Sequence, residues 1–189
     1  SLTFQNQLSL RKLSLNNNKL NSLPNDLFTD SLKLYEIDLS KNKISDFNPN
    51  LFNLLIFLEY LNLSFNNLSY INKHVFSGTF NLINLDLSNN RIQFIEEKSF
   101  EKLSNLVNLN IDQNPIENFN NYGLLPSIKN IQLPSSIFDS FDNITLNNII
   151  NSIKIKIYRS SSSNFTSSTF FYESTFVNIE NKNYSNFRC

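Results

Sequence analysis

The chain has 189 residues and a mass of 22.0 kDa, long enough to bury a substantial core. Its 16 basic and 16 acidic residues cancel to a net charge of zero, so no overall field favours nucleic acid or an anionic membrane. Even the most apolar stretch, residues 51–61, is interrupted by Asn53 and Glu59, so the sequence offers no membrane-spanning segment.

A frame of Leu-x-x-Leu-x-Leu-x-x-Asn-x-Leu returns every 24 residues. It begins at Leu10, Leu34, Leu58, Leu82 and Leu106, and it places in one column Asn18, Asn42, Asn66, Asn90 and Asn114. A second column at the same spacing consists of Phe4, Phe28, Phe52, Phe76 and Phe100. Such fixed periods mark repeat architectures, in which each unit buries its apolar face against its neighbours. The chain is therefore predicted to be a solenoid of stacked coils.

One repeat, from Leu58 to Leu68, shows how each coil runs. Leu61 and Leu63 alternate with polar neighbours, a pattern that predicts a short strand with the leucines on one face. A helix would need an apolar stripe of period 3.6 over about 10 or more residues, but the pattern stops at Asn66. The chain must turn there, and strands stacked coil on coil form a parallel sheet with the leucines inside.

The asparagine column has a physical cause in this arrangement. A turn inside a solenoid leaves backbone N–H and C=O groups away from water, where they must be paired. An asparagine amide both donates and accepts, so it can pair with its own coil and the next in a continuous ladder. The phenylalanine column is predicted to form a second buried spine beneath the outer, convex side.

These residues resemble the leucine-rich repeat family. The 24-residue length with phenylalanine at this position is similar to the typical subclass found in Slit-like and Toll-like extracellular proteins, and the match is specific over about residues 10 to 118. The resemblance implies an α/β solenoid, a horseshoe with a parallel concave β-sheet and a mostly irregular convex side. It also implies a module that binds a protein ligand on the concave sheet and carries no catalytic residues.

The outward-facing side chains of the strands form the candidate ligand-binding surface. Neighbouring strands lie about 4.8 Å apart, so five of them span about 20 Å. This surface is predicted to consist of Glu36, Asp38, Tyr60, Asn62, Phe65, Asn84, Asp86, Asn108, Asn110 and Asp112.

Two features of this surface bear on the ligand. Tyr60 and Phe65 place aromatic rings among small polar residues, which suits an interface hot spot. The alternative is that Phe65 packs between coils and Tyr60 is merely tolerated. Glu36, Asp38, Asp86 and Asp112 make the middle of the surface mildly acidic, which either favours a basic partner or belongs to a solvated surface of mixed charge.

Enzyme, metal and nucleic-acid functions find no support in the residues. His74 is the only histidine and Cys189 the only cysteine, so neither a metal cluster nor a Cys–His pair can be placed. Asp38 and Asp86, two strands and about 10 Å apart, do not suggest a catalytic pair. Lys154 alternates with isoleucines but has no aromatic platform for nucleic acid beside it. We therefore expect no catalytic residue, metal or cofactor.

The repeat loosens after Asn114. Residues 128–133 keep the strand pattern, and residues 150–155 form a further candidate strand with Tyr158 in the asparagine position. The solenoid is expected over residues 1–157, with regular repeats over about 10–127 and degenerate ones over 128–157, because terminal repeats are atypical. The Ser/Thr/Asn-rich segment 158–189 follows, and its aromatic part, residues 169–179, is a candidate cap over the open end of the solenoid.

The sequence leaves the compartment open between two alternatives. The repeat resembles that of cell-surface or secreted proteins, whereas the lack of cysteine-rich caps favours an intracellular scaffold or regulatory subunit. Cys189 is either the first cysteine of a cap or an unpaired thiol. The chain lacks Met and is already within a repeat at Phe4, so we expect a piece of a longer protein.

Glycosylation sequons begin at Asn62, Asn67, Asn143, Asn164 and Asn183. The chain has 35 asparagines, so the number of sequons is what chance gives and only their positions are informative. A glycan on Asn62 would obstruct the concave face, whereas Asn67, just past the turn, could carry one without harm. The candidates for glycosylation are therefore Asn67, Asn143, Asn164 and Asn183.

Overall fold

The computed structural model describes residue 4, residues 6–116, 127–134 and 137, and the backbone of residues 156–159 and 169–170. The strands in these residues are β1 (Lys12–Ser14), β2 (Glu36–Asp38), β3 (Tyr60–Asn62), β4 (Tyr70–Ile71), β5 (Asn84–Asp86), β6 (Phe94–Ile95), β7 (Asn108–Asn110), β8 (Asn130–Leu133), β9 (Lys156–Arg159) and β10 (Thr169–Phe170).

The main sheet has the order β1-β2-β3-β5-β7-β8-β9-β10. All neighbours from β1 to β9 run parallel, and β10 pairs antiparallel with β9. The central residues of the strands form one row across the sheet: Leu13, Ile37, Leu61, Leu85, Leu109, Ile131 and Ile157. The predicted parallel solenoid is therefore confirmed, with one strand contributed by each coil.

The ninth strand lies later in the chain than the sequence predicts. Ile157 pairs with Ile131, and Tyr158 lies inside the strand opposite Gln132 instead of at the asparagine position. Isoleucines alternate with lysines from Ile153 to Ile157, so a shift of four residues keeps the same residues on the same face. The alternation permits both registers, although the observed one places Arg159 and not Ile155 in line with Leu133.

The core consists of the apolar columns of the repeat. The first leucine of the frame is fully buried in four coils, at Leu34, Leu58, Leu82 and Leu106. The phenylalanine column forms the predicted buried spine: Phe28 stacks on Phe52 with ring centroids 5.8 Å apart, and Phe76 stacks on Phe100 at 6.1 Å. Each coil therefore presents its apolar surface to the next coil.

The convex side is built from turns. The backbone N–H of Leu55 donates to the carbonyl of Phe52, and the N–H of Leu58 donates to the carbonyl of Leu55, and the neighbouring coils repeat this spacing. Such successive i→i+3 bonds bring the chain back to the next strand within few residues. The mostly irregular convex side that the resemblance implies is confirmed.

A two-stranded sheet, β4 with β6, lies on the flank that follows the strands of the main sheet. Tyr70 and Phe94 stack there with ring centroids 5.8 Å apart, and we call these residues the far-side pair. The Tyr70 hydroxyl donates to Glu96 Oε2 at 2.7 Å. This bond, followed by one from the backbone N–H of Lys73, lowers the pKa of Glu96 below its ordinary value.

In the described part of the chain, no helix has the length and apolarity that crossing a membrane requires.

Candidate ligand-binding face

Two rows of outward-facing side chains cover the concave sheet. The first row consists of Lys12, Glu36, Tyr60, Asn84, Asn108 and Asn130, and the second of Ser14, Asp38, Asn62, Asp86, Asn110 and Gln132. Residues of both rows from β2 to β8 line a shallow concavity of about 860 Å³. Most of the residues predicted for the ligand-binding surface therefore lie together on one face.

The second row has a structural role that the sequence analysis missed. Asp38 Oδ1 accepts a hydrogen bond from the backbone N–H of Ser40 at 2.9 Å, and Asp86 Oδ1 accepts one from Ser88 at 2.9 Å. Asn62 and Asn110 make the same bond to the residue two positions later. A side-chain oxygen that bonds its own backbone two residues on is the Asx turn, which Asp and Asn favour. The spacing of Asp or Asn two residues before Ser was the available signal.

The charge of Glu36 is already paired. Lys12 Nζ lies 2.5 Å from Glu36 Oε2 and 5.2 Å from the centroid of the Tyr35 ring. Hydrogen bonds to Glu36 first and to Tyr35 second raise the pKa of Lys12 above its ordinary value. By contrast, Asp38 and Asp86 form no ion pair with any described residue. The uncompensated negative charge of this face therefore lies in the second row.

The amides of the first row bond to one another. Asn130 Nδ2 donates to Asn108 Oδ1, and Asn108 Nδ2 donates to Asn84 Oδ1, both at 2.5 Å. The three amides thus point the same way across β8, β7 and β5. Asn84 and Asn108, which the sequence predicts as ligand-binding residues, are half-buried and hold each other in place. The amide row gives this half of the face a fixed polar surface.

A third row follows the strands and is held in the left-handed region of backbone space. We call it the turn row, and it consists of Asn17, Lys41, Phe65, Asn89 and Gln113, whose φ angles are 54° or 55°. Asparagine tolerates this conformation, but a bulky residue is a genuine outlier there. Lys41, Phe65 and Gln113 depart from this preference, and Phe65 is the one aromatic residue among them. Its side chain is 50% exposed, and Lys41 Nζ lies 6.0 Å from the ring centroid.

The exposed fractions of Phe65 and Tyr60 bear on whether these rings are packed between coils or available to a ligand. Phe65 is not fully packed between coils, because half of its surface meets water. Tyr60, in the first row, is 42% exposed. Both rings are therefore available on the concave side.

The prediction that Asp112 belongs to the exposed surface is wrong. Asp112 is only 8% exposed, and its Oδ1 has no hydrogen-bond partner among the described residues. Its position in the repeat is that of Ser40, Ser64 and Ser88, each 5% exposed. Since this position lies beneath the turn, even a charged residue is buried there.

The ladder asparagines lie beneath this face. Asn66 Nδ2 donates to the carbonyls of Leu39 in the preceding coil and of Leu63 and Ser64 in its own, while Asn66 Oδ1 accepts from the N–H of Ile44. The same set of bonds is made by Asn42, Asn90 and Asn114. Asn18 differs, because it is exposed and donates only to carbonyls of its own coil.

The remaining predicted positions lie elsewhere. His74 is exposed, and the described residues contain no group of three or more His, Cys, Asp or Glu that could hold a metal ion. Asn67 is partly exposed just past the ladder, with Nδ2 3.5 Å from the carbonyl oxygen of Lys43. The other candidate glycosylation sites, Asn143, Asn164 and Asn183, lie outside the described residues, as does Cys189. Of the candidate cap, only the backbone of β10 is described.

Comparison with known proteins identifies the repeat. A family model described as leucine rich repeat matches residues 9–68 and 56–116, which together exceed half of the 189-residue chain. A search of curated proteins found no match.

Two solved structures show the same architecture. The leucine-rich repeat protein LIC12759 of Leptospira interrogans has 25% sequence identity and a TM-score of 0.61, over 79% of this chain and 33% of that one. The leucine-rich repeat domain of APL1B has 24% identity and a TM-score of 0.62, over 65% of this chain and 37% of that one, a likeness of fold alone. The chain thus spans about a third of the length of these structures.

Proposed function

The chain belongs to the leucine-rich repeat family, a common protein-interaction module, and from that premise we propose that it is a non-enzymatic recognition domain whose concave face binds a protein ligand. The ligand-binding residues are the exposed members of the rows on the sheet, centred on Tyr60 and Phe65. Aromatic side chains ringed by polar groups are the usual anchors of such interfaces.

The observation that carries this proposal is the conformation of Phe65. Its φ of 54° costs a non-glycine residue about 1–2 kcal/mol; at the same position two coils hold the better-suited Asn17 and Asn89, and two hold the flexible polar Lys41 and Gln113. The phenylalanine is also half exposed, so burial in the core does not offset this strain. Contact with a ligand supplies the missing reason for an aromatic ring at this turn.

The charge of the face supports a ligand with a basic surface. Asp38 and Asp86 each use Oδ1 in an Asx turn, and neither has a cationic partner among the described residues. The turns also fix the orientation of both carboxylates. Lys or Arg side chains of a ligand would find them preorganised, and such complementarity acts mainly on the rate of association.

The test is a comparison of captured proteins that uses a matched control. Proteins from the native source that bind immobilised chain are quantified for the wild type, for Phe65→Asn and for Phe94→Asn. Phe94 is 52% exposed but belongs to the far-side pair, so its loss removes equal aromatic surface from a different flank. A ligand of the concave face is lost with Phe65→Asn and retained with Phe94→Asn. Equal retention by both variants would reject the site.

The captured ligand then defines the energetic centre of the face. Tyr60→Ala should weaken the purified complex by about 1–3 kcal/mol if the ring is an anchor. Titration calorimetry with the purified ligand measures this directly. A change below about 0.5 kcal/mol would place the anchor elsewhere on the face.

We also propose that the chain is part of a cell-surface or secreted receptor or adhesion protein. The 24-residue repeat with its phenylalanine spine supports this, as does the partly exposed Asn67, whose sequon lies away from the concave rows. Glycan mapping by mass spectrometry on protein from the native source is the test. Occupancy at Asn67 is the expected result, and a fully unmodified chain would instead favour the intracellular scaffold.

A further inference from the structure

An apolar row lies outside both the core and the concave face. It consists of Leu8, Leu32, Ile56 and Phe80, one residue per coil at the same point of the repeat, and we call it the lateral ridge. Their exposures are 63%, 44%, 41% and 42%. They stand two residues before the first leucine of each frame, on the flank that precedes the strands. With coils about 4.8 Å apart, the four side chains form a row of about 15 Å.

A groove of about 470 Å³ runs beside the lateral ridge. Tyr35, Phe57 and Ile83 contribute apolar surface to it, and Phe57 is itself 54% exposed. The groove also contains charges of both signs: Arg11 in the first coil, Lys33 in the second and Glu59 in the third. None of the three forms an ion pair with a described residue.

The coils do not account for this surface. The ridge residues are not needed to fill the core, whose leucine and phenylalanine columns are closed without them. In the fifth coil the same position is Ser104, so the repeat itself does not require an apolar residue there. Contiguous exposed apolar surface on a soluble protein marks a site that another molecule covers.

We propose that the lateral ridge is the interface of a two-fold homodimer. A two-fold interface brings one surface against a second copy of itself, so the surface must complement itself. The lateral ridge complements itself when the two-fold axis passes between the second and third coils. Leu32 then faces Ile56 of the partner subunit, and Leu8 faces Phe80 of the partner subunit.

The charges in the groove favour a second copy over an unrelated protein. The axis that matches the apolar residues also places Lys33 near Glu59 of the partner subunit, and the reverse pair forms by symmetry. The interface thus joins two apolar rows and two complementary charge pairs with the residues of one chain alone. The zero net charge of the chain adds no long-range repulsion between copies.

Sedimentation equilibrium of the full chain tests the proposal at concentrations from about 1 to 100 μM, where interfaces of modest affinity dissociate. A reductant is present throughout, so that Cys189 cannot cross-link copies. The wild type is expected to sediment as a dimer at the upper end of this range. A chain that stays monomeric throughout would overturn the proposal and leave the ridge to a different protein.

Substitution of the ridge locates the interface. Ile56→Glu is expected to raise the dimer dissociation constant at least about tenfold, because the two-fold axis buries the new charge twice. The control is Phe94→Glu, at a more exposed aromatic residue of the far-side pair, and it should leave the dissociation constant unchanged. Far-UV circular dichroism confirms that both variants are folded. Equal weakening by both would overturn the proposal.

A charge exchange tests the two-fold symmetry itself. Lys33→Glu or Glu59→Lys alone places like charges together and should weaken the dimer about threefold to tenfold. The double variant exchanges the signs in both copies, so the two pairs reform and most of the affinity returns. Since Lys33 and Glu59 of one chain line the same groove, an equal mixture of the two single variants is measured as well, because it restores both pairs only between copies. A double variant as weak as the worse single variant would reject this arrangement.

Discussion

Two adjacent rows follow the strands of the concave sheet, and they obey different rules. The ladder row, Asn42, Asn66, Asn90 and Asn114, repeats one residue in one set of buried bonds. The turn row, one position earlier, repeats one backbone conformation but holds four kinds of residue. Where a buried position needs a side chain that both donates and accepts, the sequence repeats. Where the backbone alone fixes the geometry, the residue is free to serve a ligand.

The same Asn→Asp substitution should destabilise the chain strongly in the ladder row and hardly at all in the turn row. Asn66→Asp removes the donor that reaches three carbonyls and leaves a buried carboxylate facing them. We expect a loss of about 3–5 kcal/mol at neutral pH. Asn89→Asp, in the turn row, should change stability by less than about 0.5 kcal/mol, because Asp also tolerates a positive φ. Chemical denaturation of both variants measures the difference.

The loss in Asn66→Asp should depend on pH. Burial raises the pKa of the introduced carboxyl above its unfolded value of about 3.9. The folded state therefore binds the proton more tightly, so stability relative to the wild type falls as pH rises above the unfolded pKa. A loss that is equal at acidic and neutral pH would show that the carboxylate escapes to solvent.

Removing the side chain of a ladder asparagine should destabilise the chain less than replacing it with aspartate. Asn66→Ala leaves the N–H of Ile44 without its acceptor and removes one of the two amides that donate to the carbonyl of Leu39, the other being Asn42, at a cost of about 1–3 kcal/mol. Asn67→Ala, the next residue along, should cost little, because Asn67 is partly exposed and makes only a 3.5 Å contact. The midpoints of urea denaturation compare the two. Equal midpoints would refute the ladder as a source of stability.

Most of the fold could be read from the sequence because the ladder row and the leucine columns share one period. The main-sheet strands β1, β2, β3, β5 and β7 follow from that period, and Ile131 still pairs in line with Leu109. The short pair of β4 and β6 on the flank was not predicted. The position of β9 could not be read, since isoleucine alternation allows several registers. The burial of Asp112 was not predicted either. The in–out alternation of the strand was extended to Asp112, although the strand ends before that residue.

The candidate site was less predictable than the fold. Most of its residues lie on the face that the sequence predicts, with Asp112 buried instead, but the bonds among them join neighbouring coils. The Lys12–Glu36 pair and the Asn84–Asn108 bond each connect residues 24 positions apart. Such pairs follow only once the register is known. The lateral ridge shares the same period and was readable from the sequence, but it lies outside the family frame.

The strain in the turn row predicts a substitution that stabilises the chain. Phe65→Asn replaces the outlier with the residue of Asn17 and Asn89, and stability should rise by about 0.5–1 kcal/mol. Phe65→Val should lower it by about 1 kcal/mol, because a β-branched side chain fits a positive φ worst. The midpoints of thermal unfolding rank the stabilities of the wild type, Phe65→Asn and Phe65→Val. A loss of stability in Phe65→Asn would mean that the ring contributes packing which outweighs its strain.

The smallest change in stability should come from the acidic residues of the second row. Asp38 and Asp86 both hold an Asx turn through Oδ1, and asparagine offers the same oxygen, so the double Asp→Asn variant should remain within about 0.5 kcal/mol of the wild type. The double Asp→Ala variant removes both acceptors and should lose about 0.5–1.5 kcal/mol per site. The two double variants thus separate the effect of the negative charge from that of the Asx turn at the same two positions.

Stopped-flow association with the captured ligand then isolates the effect of the charge, since the Asp→Asn variant should bind more slowly and with weaker salt dependence. An unchanged rate would mean that these carboxylates serve only the turn, as the ladder asparagines serve only the coil.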